Sequence, residues 1–162
     1  LLLVRRLLPV GGKFAKRLVK SPKVYLRDSG ILHALLNIAN RDELFAHPIL
    51  GPSWEGFVID NLIALAPERT TPGFYRTSAG AEVDLVLDFP GGKRWAIEIK
   101  RSVSAVPTRG FHLACEDLQP DRRFLVRAGV GRHPLSGGGE SIGLPEIVED
   151  LKNPKSQSGS RS

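Results

Sequence analysis

Residues 82–100, EVDLVLDFPGGKRWAIEIK, decide the fold. Side chains along a strand point alternately to opposite faces. In 94–100 this groups Trp95, Ile97 and Ile99 on one face and Ala96, Glu98 and Lys100 on the other. In 82–88 it sets Val83, Leu85 and Leu87 against Glu82, Asp84, Val86 and Asp88. Reading Pro90-Gly91-Gly92 as a three-residue hairpin loop pairs Phe89 with Lys93 and, counting back, Leu87 with Trp95, Leu85 with Ile97 and Val83 with Ile99. Apolar then faces apolar, and Asp84 lies directly opposite Glu98. A two-residue loop would slip the register by one and mix the faces, which burial disfavours.

Two carboxylates across a hairpin repel, and a divalent cation removes the conflict. Mg²⁺ is held by one or two protein carboxylates together with phosphate oxygens and water. Lys100, two residues beyond Glu98 on the same face, is placed to orient the attacking water or stabilise charge on a phosphate, the arrangement that metal-assisted phosphodiester hydrolysis requires. Glu55 is a further candidate. It shares a helical stripe with Ile59 and Leu62, and an acid on a core-facing stripe needs a partner. Each residue also has a plainer role: Glu55 sits in a first helical turn, where the dipole favours a carboxylate; Glu98 and Lys100 suit an exposed strand face; Asp84 can pair with Lys100 or Arg76. Spacing alone leaves both readings open.

Outward from the hairpin, residues 73–77 read as a strand joined to 82–88 by a turn at 78–81. Upstream, Asp28 or Ser29 caps a helix carrying Ile31, Leu32, Leu35 and Leu36. Pro48, Gly51 and Pro52 break the chain, and Ser53 caps a helix over 54–66 that Pro67 ends. Downstream, 108–118 reads as a helix, 122–126 as a buried strand, 136–140 (SGGGE) as a flexible loop, 144–151 as a closing helix and 153–162 as a disordered polar tail. No internal repeat is present.

The chain has 162 residues, 41% hydrophobic and 25% charged, enough for one domain with a real core and little more. No window nears the roughly 18 apolar residues of a membrane span, and 1–10 lacks the organisation of a signal peptide. A single cysteine, Cys115, excludes an internal disulfide and suits the cytoplasm. The chain contains no methionine, and a fragment whose N-terminal partner is missing is the expectation. Its net charge of +6 is uneven: residues 1–27 hold eight basic side chains (Arg5, Arg6, Lys13, Lys16, Arg17, Lys20, Lys23 and Arg27) and no acid, leaving 15 basic against 17 acidic elsewhere. Such a segment fits either a phosphate-contacting element or a solvated basic surface. Among its lysines and arginines, Lys13, Lys16, Arg17, Lys20 and Lys23 are the candidate nucleic-acid contacts. His33, His47, His112 and His133 have no zinc spacing with one another or with Cys115, and there is no G-x-S-x-G elbow.

The stretches KSPKVYLRDSGILHALL (20–36), GPSWEGFVIDNLIAL (51–65), GAEVDLVL (80–87) and WAIEIKRS (95–102) resemble the uncharacterised domain that lies C-terminal to the ATPase core in a large prokaryotic group of AAA-type ATPases. The resemblance covers about residues 3–151. It implies the PD-(D/E)xK, restriction-endonuclease-like fold, a mixed α/β sheet flanked by helices, with motif acids at Glu55, Asp84 and Glu98 and the motif lysine at Lys100. It further implies Mg²⁺ or Mn²⁺ as cofactor, DNA as partner, and an ATPase and winged helix preceding this domain. Residues 1–27 would be the β-wing remnant of that winged helix, 28–151 the nuclease-like domain and 152–162 the tail. No P-loop is present and no recognition helix, so the fragment is expected to lack ATPase activity and to bind DNA weakly and salt-sensitively. The leading expectation is a metal-dependent deoxyribonuclease-like domain; the rival is a non-catalytic DNA- or partner-binding module regulating the ATPase. A site kept only as an ion pair is a third reading, and the oligomeric state stays open.

Overall fold

A computed structural model describes residues 3–12 and 18–152. A six-stranded mixed sheet, ordered β3-β4-β5-β6-β8-β7, forms its centre. Strands β3 (Thr71–Arg76), β4 (Glu82–Asp88) and β5 (Arg94–Lys100) form an antiparallel meander. Helix α4 (Arg109–Leu118) then returns the chain so that β6 (Arg122–Arg127) runs parallel to β5, while β7 (Arg132–Pro134) and β8 (Glu140–Gly143) complete the far edge. Helices α3 (Leu50–Leu65) and α5 (Leu144–Lys152) pack together on one face, with α4 on the other. No helix among the described residues is long and apolar enough to cross a membrane.

The central hairpin forms as its periodicity predicts. Phe89 N–H donates to the Lys93 carbonyl at 2.8 Å across Pro90-Gly91-Gly92, and the ladder pairs Leu87 with Trp95 and Leu85 with Ile97. The alternation breaks at Asp84. The β3–β4 register shifts between Gly73 and Tyr75, so three steps of β4 oppose two of β3, the signature of a β-bulge. Leu85 and Leu87 pack with Trp95, Ile97 and the α3–α5 side, whereas Val83 packs with Val86, Ala96 and the α4 residues Phe111 and Cys115. The expected common face of Val83, Leu85 and Leu87 is therefore corrected. So is the direct Asp84–Glu98 pairing: the ladder stops at Leu85–Ile97, and Asp84 accepts the Ile99 N–H on its side chain at 2.9 Å.

Three further expectations change. Helix α3 begins at Leu50, ahead of Ser53. Pro52 is tolerated in its first turn because the N–H it lacks has no intrahelical partner there. Ser53 is thus not a cap: its N–H bonds the Ile49 carbonyl at 2.8 Å and its hydroxyl lies 2.8 Å from His33 Nε2. The SGGGE stretch is the turn of the β7–β8 hairpin, with Leu135 N–H bonded to the Gly139 carbonyl at 3.0 Å and Glu140 already in β8. Gly137, Gly138 and Gly139 hold φ of 90°, 90° and 99°, a run that side-chain-bearing residues avoid. Helix α2 (Arg41–Ala46), capped by the Asn40 side chain on Glu43 N–H, adds an element that periodicity did not reveal. Helix α1 (Ser29–Leu35) is capped by Asp28 as expected. The tail 153–162 lies outside the described residues.

The N-terminal segment is built into the domain. Strands β1 (Val4–Leu7) and β2 (Lys23–Leu26) form a two-stranded antiparallel sheet, and Leu7 is fully buried in the main core. Val10 N–H and the Leu8 carbonyl bond Phe74 of β3, and Arg5 holds Asp60 of α3 at 2.7 Å.

Cys115 illustrates how closed the α4 side is. It is fully buried, and burial, reinforced by Glu98 and opposed by Arg123, pushes its thiol up to about 11. The thiolate that reacts with alkylating agents is then scarcer than in an exposed cysteine by about a hundredfold. The native protein is expected to react with iodoacetamide at pH 8 at least about a hundredfold more slowly than the guanidinium-unfolded chain; comparable rates would show that this face opens.

Candidate functional site

The bulge, the first turns of α3 and the loop before α4 meet around a cavity of about 350 Å³ lined by Glu55, Gly80, Glu82, Asp84, Glu98, Lys100, Thr108 and Gly110. All four residues singled out from the sequence, Glu55, Asp84, Glu98 and Lys100, thus border one cavity. Glu98 is 4% exposed. Its Oε2 accepts the Thr108 N–H at 3.0 Å, and its Oε1 lies 3.4 Å from Lys100 Nζ. Thr108 in turn caps α4 through its hydroxyl, so the helix start and the acid fix each other. The strand end is also held from the α3 side, where Trp54 Nε1 donates to the Lys100 carbonyl at 3.2 Å.

Asp84 is 8% exposed. Burial, and then the neighbouring Glu55 charge, push its carboxyl up to about 6, against the opposing pull of Lys23 and of the Ile99 N–H. Glu55 accepts the Tyr25 hydroxyl at 2.7 Å. Burial raises the Tyr25 phenol, and the Glu55 charge and hydrogen bond raise it further, keeping it a donor.

The cation that reaches three acids at once is Lys23. Its Nζ lies 3.1 Å from Glu82, 3.4 Å from Glu55 and 3.5 Å from Asp84, with its side chain 14% exposed. Burial works against that charge, but Asp84, Glu55 and Glu82 outweigh it and hold the ammonium above its ordinary pKa. Glu82 also takes Arg76 in an ion pair at 2.5 Å. Burial opposes its charge, but Arg76 and Lys23 hold the carboxyl below its ordinary value. Asp84 therefore pairs with neither Lys100 nor Arg76 but with a lysine 61 residues away.

Lys23 thus points inward, while Lys20 is exposed. Lys13, Lys16 and Arg17 lie outside the described residues. Sequence reasoning missed Tyr25, Glu82 and Thr108. The alternation of Lys23-Val24-Tyr25, with Val24 exposed, is the signal that places Lys23 and Tyr25 on one inward face.

The donor set suits a hard divalent cation, because every candidate ligand is a carboxylate oxygen. As the side chains stand, no group of three or more His, Cys, Asp or Glu among the described residues is gathered to hold a metal ion. The three acids that come together do so around an ammonium. The residue types, taken by their chemistry alone, are those that Mg²⁺ or Mn²⁺ takes as ligands.

A family model described as "Domain of unknown function (DUF4143)" matches residues 50–147, which carry Glu55, Asp84, Glu98 and Lys100. A second, "Domain of unknown function (DUF8612)", matches residues 1–42, which carry Lys23 and Tyr25. An uncharacterised protein of Mycobacterium tuberculosis is 44% identical over 148 residues, covering 91% of this chain and 33% of that protein. An uncharacterised protein of Mycobacterium bovis matches with the same figures. The chain spans about a third of the length of these curated relatives. No solved structure matches it.

Proposed function

From a chain that belongs to the DUF4143 domain family, we propose a metal-dependent, nuclease-like activity on DNA, housed in a PD-(D/E)xK-type domain of a larger AAA-type ATPase. The observation that carries it is the gathering of Glu55, Asp84, Glu98 and Lys100 around one open, acid-rich cavity. Bound Mg²⁺ or Mn²⁺ would supply Lewis-acid polarisation of a phosphodiester oxygen and a more acidic water. Asp84 and Glu98 are the ligands in this reading, each aimed by a backbone N–H, with Glu55 in support. Lys100, half-exposed at the rim beside Glu98, faces the phosphate and offsets its charge.

The test is cleavage of labelled single- and double-stranded DNA with Mn²⁺. Wild type is expected to cut. Asp84→Ala and Glu98→Ala are expected to lose more than the roughly 10–100-fold typical of outer-shell substitutions, with circular dichroism unchanged. Folded wild-type protein that cuts neither substrate would overturn the catalytic reading.

The inward position of Lys23 favours a second reading, a non-catalytic DNA- or partner-binding domain regulating the ATPase. There, Asp84→Ala leaves DNA affinity intact, while neutralising Lys13, Lys16 and Arg17 together weakens it and flattens its salt dependence.

A further inference from the structure

We propose that Lys23 occupies a divalent-cation position, so that a metal ion entering the acid cluster must displace its ammonium. The inference rests on the metal-site reading above but not on DNA cleavage. Lys23 approaches three carboxylates from three different elements, Glu55 on α3, Glu82 and Asp84 on β4, all within 3.5 Å of Nζ. A lysine that merely neutralised a surface acid would keep its ammonium in water; this one is largely buried. It also lies 5.6 Å from the centre of the Phe74 ring, so its surroundings select a cation from both sides.

Charge counting points the same way. Four carboxylates border the cavity or touch Lys23, namely Glu55, Glu82, Asp84 and Glu98. The cations paired with them are Lys23, Lys100 and Arg76, which leaves one negative charge. Exchanging the single charge of Lys23 for a divalent ion would bring the cluster to neutrality. Both cannot sit there at once, because like charges in one low-dielectric pocket repel strongly.

Lys23 is supplied from outside the framework that carries the acids. Lys23 comes from a two-stranded hairpin that is not part of the central sheet, and Arg5 and Arg27 tie that hairpin to Asp60 of α3 at 2.7 and 3.6 Å. The acids, by contrast, belong to α3 and the central sheet. Removing Lys23 is therefore a local change that leaves the acids in place.

The experiment measures thermal melting of wild type and Lys23→Met in EDTA and in millimolar Mn²⁺, with NaCl of equal ionic strength as control. In EDTA, Lys23→Met is expected to melt lower than wild type, because its buried acids have lost their counter-charge. Mn²⁺ is expected to raise Lys23→Met by about 5 °C and wild type by less than half as much, because there the ion must displace the ammonium. The double variant Lys23→Met/Asp84→Asn should not respond. Equal shifts in wild type and Lys23→Met, or none in either, would overturn the proposal. Should Lys23→Met fail to fold in EDTA, recovery of its circular dichroism with Mn²⁺ supports the proposal. If it folds in neither condition, Lys23→Met/Glu82→Gln, with one acid fewer, is read in the same way, and its shift or lack of one decides. A cation response in Lys23→Met without cleavage by any variant would leave the Lys23 proposal standing and the nuclease reading fallen. Cleavage by wild type with no gain of response in Lys23→Met would do the reverse.

Discussion

Asp84→Asn is expected to be more stable than wild type at pH 7.5 by about 2–3 kcal/mol in the absence of divalent cations. Burial and Glu55 push the Asp84 carboxyl up to about 6 from its ordinary 3.8, and each unit of such a shift corresponds to about 1.4 kcal/mol. The sign follows from proton linkage. Because the folded state holds this proton more tightly than the unfolded chain, Asp84 favours folding below about pH 4, and that contribution is lost as pH rises through about 6. An asparagine keeps an oxygen for the Ile99 N–H but carries no charge to desolvate. The advantage of Asp84→Asn over wild type should therefore be small at pH 4 and grow until about pH 7. Comparing the two proteins at each pH by urea melts cancels the other titrating groups. A variant less stable than wild type at pH 7.5, or a difference flat across that range, would show that Asp84 is comfortable as an anion and that the cluster stores no electrostatic strain.

Trp95→Ala is expected to remove about 3–5 kcal/mol, lowering the melting temperature by about 10–15 °C in a domain of this size. Trp95 is 1% exposed on β5. It packs at 4.8 Å between ring centres with Phe89 and 5.1 Å with Phe124, and the Arg122 guanidinium lies 5.1 Å from its ring centre. Arg122 also holds Glu140 at 2.7 Å and Asp150 at 2.9 Å, so the cavity left by the indole loosens the anchor between the sheet and α5 as well. Because Glu98 and Lys100 sit further along the same strand, the substitution reaches the candidate site through its scaffold. A drop below about 4 °C would mean that β5 is not the spine of the core.

Much of the fold could be read from the chain because its signals are local. Strands β4 and β5 begin and end where alternation places them, and the three-residue loop sets their register. Helix α2 escaped because its six residues, three polar followed by three apolar, give no periodic apolar stripe, although Asn40 with Glu43 is a capping pair that could have revealed it. The bulge was not legible. It depends on how β3 meets β4 between Gly73 and Tyr75, and nothing in 82–88 alone distinguishes an unbroken strand from one that turns Asp84 out of the ladder. Glu55, Asp84, Glu98 and Lys100 could be singled out from strand faces and helix stripe together with the family resemblance, while faces and spacing alone left a plain ion-pair reading open. The partner of Asp84 could not, because Lys23 arrives from a hairpin 61 residues earlier in sequence, and its positive charge in a basic segment suggested a solvent-facing role. The family match over residues 50–147 carries the acids and the lysine, yet the residue that neutralises them lies outside it.

The most direct test of the central claim is an anomalous-scattering map of Lys23→Met crystals grown with Mn²⁺. The account predicts a peak in the cavity with oxygens of Asp84 and at least one further acid from Glu55, Glu82 and Glu98 in its coordination shell, at about 2.2 Å. Crystals diffracting well with millimolar Mn²⁺ and no peak between those carboxylates would contradict it.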